Sequence, residues 1–232
     1  MPKKILLAVF FILPVCLKSQ QNNCISVSQE TQVLSKGVKS TFRCDIYYNK
    51  DKDAITTHHT YPSEYITLSN RFGEMKLYYP KDNTVEIYQN QSFSTTNDLL
   101  YYFVNNRLTD LGLEKEGFRL VKTDNEAGMI VTLWQAPVSL RVIEKVKVVF
   151  KDMVPVYSEY ISKAGLIIKK IYYSRYSDFD FFKIPTRITE ISFNTSSDST
   201  IRLSVFSNVR VSDKPEGDYF DFKIPENARI TK

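Results

Sequence analysis

Residues 61–103, "YPSEYITLSNRFGEMKLYYPKDNTVEIYQNQSFSTTNDLLYYF", decide the fold. Three short runs, "SEYITLSN", "GEMKLYYP" and "TVEIYQNQ", are divided only by "RF" before Gly73 and by "KDN" at 81–83. Strands joined this tightly form an antiparallel meander, because a parallel crossover needs about a dozen residues or more. The period then changes. In "TTNDLLYYFVNNRLTDLGLE", Leu100, Phe103, Val104 and Leu111 recur at helical spacing, and Asp98, Asn105 and Asn106 take the opposite side. Thr95, Thr96 or Asn97 can cap the start, and Asp98 suits the positive end. A helix inserted into a meander is the expectation.

Strand patterns continue on both sides. "STFRCDIYYN" and "AITTHHTYP" flank "KDKD" as a hairpin. Downstream come "FRLVKTD", "MIVTLWQAP", "EKVKVVFKD", "VPVYSEYISKA", "LIIKKIYYSRY", "TRITEISFN", "TIRLSVFSNVRVS" and "YFDFKIP". Residues 25–40 read instead as a short helix or irregular arm. This amounts to ten or eleven strands with no βαβ alternation: a mainly β protein built on one strongly curved antiparallel sheet, an unclosed half-barrel. The tetrapeptide "FKIP" occurs at 182–185 and at 222–225, and in both places its proline reads as punctuation at a sheet edge.

Alternation suggests that one face is apolar. Val146, Val148 and Phe150 alternate with lysines, and Ile201, Leu203 and Val205 alternate with Arg202 and Ser204. A wide sheet curls, its apolar concave face needs a cover, and the helix is the candidate lid. A cavity lined by Leu77, Tyr79, Val85 and Ile87, by Leu100, Phe103 and Val104 of the lid, and by Trp134, Val148 and Leu203 opposite is expected. A one-residue slip would flip any of these sets. The doubled tyrosines, as in "IYYN" at 46–49, place one ring on each face and are also ordinary for half-buried strands.

The amino-terminal "MPKK", the apolar run 5–17 and the polar "KSQQNN" read as a secretory signal peptide over 1–19. The run is shorter than the roughly 20 residues of a spanning helix. An uncleaved anchor and lipidation at Cys16 are the alternatives. The single domain is then 20–232. Cleavage removes three lysines and no acid, so the formal charge falls from +5 to +2 and gives no footprint for nucleic acid. Cys24 and Cys44 remain, as a candidate disulfide or as two free thiols.

Chemistry-bearing groups are sparse. His58 and His59 are adjacent in a strand pattern and face opposite sides, so they cannot line one site. No metal-ligand set, nucleophile elbow or phosphate loop is present, and no cofactor is expected. Asp178 and Asp180 share one side of an extended segment, a spacing more typical of a solvated strand entry. A non-enzymatic role is expected.

Residues 61–103 are similar to the central segment of the periplasmic outer-membrane lipoprotein carriers, the LolA-like family. Pro62, the Tyr79-Pro80 step and Leu99-Leu100-Phe103 stand where those proteins have a strand-opening proline, an aromatic-proline step and the lid helix, and "YFDFKIPENARI" resembles their closing strand. The resemblance implies a periplasmic monomer that carries lipid or lipoprotein acyl chains between sheet and lid and meets inner- or outer-membrane envelope proteins. In that family an arginine before the proline holds the lid. Here Tyr61 occupies that switch position, and a phenol cannot offer the same fork of donors. A protein-interaction or envelope-sensor module with a filled core is the other expectation.

Overall fold

The computed structural model describes residues 23–179, 181–195 and 198–231. The expected signal peptide and Asp180 lie outside them. The strands are β1 (Cys24–Ser35), β2 (Val38–Asn49), β3 (Ala54–Tyr61), β4 (Tyr65–Asn70), β5 (Glu74–Tyr79) and β6 (Thr84–Gln89). After helix α1 (Leu99–Val104) come β7 (Arg119–Glu126), β8 (Met129–Gln135), β9 (Ile143–Lys151), β10 (Val154–Ser162), β11 (Ile167–Phe179), β12 (Phe182–Thr195), β13 (Asp198–Ser212) and β14 (Arg229–Ile230). They form one curved, unclosed sheet in the order β14-β6-β5-β4-β3-β2-β1-β13-β12-β11-β10-β9-β8-β7. Every pairing is antiparallel except that of β14 with β6. The sheet is thus two meanders, β1–β6 and β7–β13, fused where β1 meets β13.

Tight turns set this order. Lys36-Gly37 and Ala127-Gly128 hold both central residues at positive φ, the requirement of a two-residue turn whose twist matches its strands. Asp152 and Met153 do the same between β9 and β10 without a glycine.

Fourteen strands among the described residues exceed the ten or eleven expected. The main correction is at residues 25–40, expected as a helix or arm, where β1 runs through the middle of the sheet. Its inward residues change from Ile25 and Val27 to Gln29 and Thr31, and this polar continuation broke the apolar alternation. The helix is also shorter than its pattern suggested. Two 3-10 turns, at Gln91–Phe93 and Thr95–Asn97, precede it, and Asp98 rather than an earlier residue is its N-cap. Asn105 closes it. Asn106, Leu111 and Gly112 then take positive φ, so Leu111 lies in turns and not on the helix. Gly112 cannot carry a side chain, because a Cβ there would collide with the Tyr102 hydroxyl.

Directly opposite residues share a face, so register assigns each strand residue to a side. On the lid face, Val27, Ile46, Thr57, Thr67 and Leu77 form one row. There α1 buries Leu100, Tyr101, Phe103 and Val104 against Tyr48, Ile171, Tyr173 and Ile184. A second lid-face cluster gathers Leu113, Phe118, Trp134, Val146, Val148 and Phe150. The outer face of β3–β6 is covered by the C-terminal segment, whose Tyr219, Phe222 and Ile224 pack on Ile66, Tyr78 and Val85.

The two "FKIP" copies therefore differ in role. Phe182 and Ile184 open β12 and are buried in the lid-face core. The second copy, expected as a strand, is irregular backbone clamped on the outer face. Its proline is not a strand residue at all.

Cys24 and Cys44 are free thiols, against the disulfide reading. The ladder pairs Cys24 with Asn49 and Cys44 with Gln29, five positions further along. Five strand steps are about 17 Å, whereas bridged cysteines need Cα atoms within about 7 Å. The two also point to opposite faces. Burial pushes the Cys44 thiol up to about 12 and raises Cys24 as well. Both should resist alkylation in the native protein and both should alkylate once it is denatured without reductant. Peptide mapping that recovered a Cys24–Cys44 cross-link would show the register to be wrong.

Candidate functional site

Two hollows lie between the lid segment and the sheet. The first, about 230 Å³, sits under α1 on β1, β2, β12 and β13. Its apolar wall is Ile46, Leu99, Leu100, Phe103, Ile184, Ile188 and Phe206. Gln29 and Ser204 give it a polar floor: Gln29 donates to Thr31 Oγ1 at 3.0 Å, Thr31 and Ser204 share a hydrogen bond at 3.1 Å, and Cys44 Sγ donates to Gln29 Oε1 at 3.7 Å. Asp98, Glu190 and Arg202 complete the wall.

The second hollow, about 430 Å³, lies where residues 106–114 cross β7, β8 and β9. Leu108, Leu120, Ile130, Trp134, Phe150 and Met153 line it, with Thr132. Trp134 Nε1 donates to Thr132 Oγ1 at 2.9 Å, and Thr132 in turn donates to the Val148 carbonyl at 3.3 Å, so the ring is fixed and its polar edge satisfied. At the rim Leu120 is 50% exposed, Ile130 37% and Met153 72%. The rim is open, apolar along these three residues and polar where Asn106, Thr109 and Glu114 border it. Between the hollows, over β11, Phe103 packs on Tyr173 and Tyr176 at ring distances of 6.0 and 6.3 Å.

The expected lining residues divide by face. Leu100, Phe103 and Val104 are buried in the lid, and the first two wall the smaller hollow. Trp134 walls the larger one, with Val148 buried beside it in the same cluster. Leu77 and Tyr79 do face the lid side, half-buried beyond both hollows, where Tyr79 approaches Tyr65 at 6.0 Å. Val85 and Ile87 do not join them. Leu77 pairs with Glu86 and Tyr79 with Thr84, so Val85, opposite Tyr78, and Ile87, opposite Lys76, lie on the outer face. Val85 is buried there by the C-terminal segment. Leu203 is likewise on the outer face, because it is Arg202, Ser204 and Phe206 that enter the hollow. The alternation along β13 was legible, but the polar partners in it are the inward ones.

The remaining wall residues went unread. Ile184 and Ile188 carry a clean alternation that could have been extended from "FKIP" into "TRITEI". Gln29 offered no signal, since inward polar residues look like solvated ones.

The histidines separate as expected. His58 stacks on Tyr219 of the outer-face segment at 4.5 Å and meets Glu64 at 3.0 Å, whereas His59 stacks on Tyr65 at 4.0 Å on the lid face. Burial holds His59 neutral, down to about 4. Tyr61 is 48% exposed and carries the Arg43 guanidinium 5.4 Å over its ring, at the end of the β2–β3 ladder. Its charge partner is thus a strand residue.

Asp98 joins lid structure to site. Its carboxylate accepts from the Leu100 N–H at 2.7 Å, satisfying one of the orphan donors at the start of α1. The residue keeps open surface at the hollow, yet protein surrounds it on its other sides. That desolvation raises its pKa against the pull of the Leu100 bond.

No protein-family model and no curated protein matches the sequence. Solved structures do match. A Vibrio parahaemolyticus domain described as outer-membrane lipoprotein-sorting superposes with a TM-score of 0.59 at 14% identity, over 87% of this chain and 90% of that one. A DUF1329-family protein from Desulfovibrio piger gives 0.56 at 14%, over 88% and 91%. A LolA-superfamily protein from Nitrosomonas europaea gives 0.54 at 14%, over 85% and 90%.

A carboxylate raised by burial favours the folded state at low pH and loses that advantage as pH rises through its folded pKa. Asp98→Asn keeps an acceptor for the cap and removes the charge. It should match or exceed the wild type in stability at pH 7, with the difference closing toward pH 4. Asp98→Ala should instead lose about 1 kcal/mol of cap. Urea melts at both pH values check this, and an Asn variant clearly weaker at pH 7 would contradict the desolvation. An unclosed, curved antiparallel sheet with a helical lid on one face, superposing on these structures over most of its length, means that the chain has the LolA-like fold.

Proposed function

We propose that the protein binds and carries a hydrophobic ligand, lipid or lipoprotein acyl chains, on the lid face of its sheet, and that it does so without catalysis. The observation that carries this reading is the larger hollow. It has an apolar wall around a fixed tryptophan, and a rim where Leu120, Ile130 and Met153 remain in contact with water. Its 430 Å³ lies within the usual small-molecule range of about 300–1,000 Å³. Each methylene transferred there contributes about 0.8 kcal/mol, so a modest length of chain suffices for useful affinity. The similar structures include a lipoprotein-sorting domain and a LolA-superfamily protein, and the signal-like amino terminus supports action in the periplasm, as a monomer that exchanges cargo with envelope proteins.

A second reading, a protein-interaction module with a filled core, draws on the packing of Phe103 against Tyr173 and Tyr176, which occupies the middle of the lid face. The two readings diverge in one experiment. Native mass spectrometry of protein from its own periplasm, with titration of the neutral dye N-phenylnaphthylamine, should reveal bound lipid and saturable dye binding. The double variant Leu120→Glu/Ile130→Glu alters exposed positions, so it should melt like the wild type and bind dye at least tenfold more weakly, since each lost apolar contact surface is worth a kcal/mol or more. Empty protein that never takes up dye would favour the interaction module.

A further inference from the structure

The smaller hollow is apolar along Leu100, Phe103, Ile184 and Phe206, but three ionisable groups border it: Asp98, Glu190 and Arg202. Two of these are already engaged. Asp98 accepts the Leu100 N–H, and Glu190 accepts from Lys169 Nζ at 3.3 Å. Arg202 differs. The ladder sets it directly opposite Glu190, yet Glu190 turns to Lys169 on β11, and among the described residues no hydrogen bond or ion pair engages the Arg202 guanidinium. An exposed, uncommitted guanidinium therefore stands at the wall of a hollow that is apolar on the side of α1.

Chemistry narrows what would fit. The guanidinium is a planar fork that matches a carboxylate with two parallel hydrogen bonds. Two carboxylates, Asp98 and Glu190, border the same space and oppose a second negative charge, which favours a monoanion over a phosphate monoester. At about 230 Å³ the hollow is smaller than most small-molecule sites, so it suits one thin chain and not the paired tails of a diacyl lipid.

We infer that this hollow takes a single-chain amphiphile with a free carboxylate, a fatty acid, whose head is anchored by Arg202 and whose tail lies under α1 against Phe103 and Ile184. The inference rests on the carriage reading and specifies its cargo.

Isothermal titration of the full mature chain with dodecanoate, dodecanol and dodecyl phosphate tests it, in the wild type, Arg202→Gln and Arg202→Lys. The wild type should bind dodecanoate about tenfold or more tightly than dodecanol, the difference expected for a charge-assisted pair, and more tightly than dodecyl phosphate. Arg202→Gln should lose that preference while binding dodecanol unchanged, and Arg202→Lys should keep part of it. Arg202 is exposed, so thermal melts should coincide. Equal affinity for acid and alcohol, or a preference that survives Arg202→Gln, overturns the anchor and leaves carriage standing. A preference for the phosphate overturns the carboxylate assignment. Failure of all three ligands to bind a protein that still takes up N-phenylnaphthylamine overturns the inference and leaves carriage standing, whereas failure of the ligands and the dye together overturns both.

Discussion

The pairing of β1 with β13 holds the rest together. Each meander is a run of neighbours that could form locally, but β1 and β13 are separated by most of the chain and join the two halves into one sheet. The seam is not purely apolar. At its centre Thr31 and Ser204 are buried side by side and satisfy each other, with Gln29 donating to both. Leaving either hydroxyl without its partner would cost about 1–3 kcal/mol, which ties this register to its hydrogen bonds as well as to its apolar contacts. It also delivers Gln29, Arg202, Ser204 and Phe206 to the floor and wall beneath the lid.

A sheet joined in this way has two faces to cover, and the chain covers them differently. On the lid face a single turn and a half of helix, continued by turns, buries five consecutive residues from Leu100 to Val104. On the outer face an extended tail with hardly any regular structure lays Tyr219, Phe222 and Ile224 over β3–β6 and ends as a two-residue parallel strand on β6. The short lid, about 9 Å of helix, covers only part of the sheet, and the two hollows lie where it and the turns after it meet the strands. The hollows are a consequence of that geometry: a wide, curved, unclosed sheet under a cover too small to fill it.

Much of the fold was legible in local pattern. The meander of β4, β5 and β6, the hairpin of β2 and β3, and the helical period at Leu100, Phe103 and Val104 follow from turn chemistry and periodicity over a few residues. Of the site, the lid residues and Trp134 were legible because bulky apolar residues in regular spacing announce burial. The polar part was not. Arg202 and Ser204 in β13, and Gln29 in β1, alternate with Leu203 or adjoin Val27 in a way that reads as the wet face, although they face inward.

The sequence by itself determined that this protein is a sheet of antiparallel strands with one inserted helix, because strand and turn preferences act over neighbours. Only the tertiary structure decided which face of each strand is inside. A strand's period is two, so its own pattern names two faces without saying which one meets the lid. Partners settle that choice. Glu86 opposite Leu77 sends Val85 outward, and the extra residue at Asn208, with its positive φ, reverses β13 so that Val209 and Val211 join the core beyond Phe206. The same partners separated Cys24 from Cys44 and left Arg202 at the wall of the hollow under α1, facts that reside in the register and in no single segment.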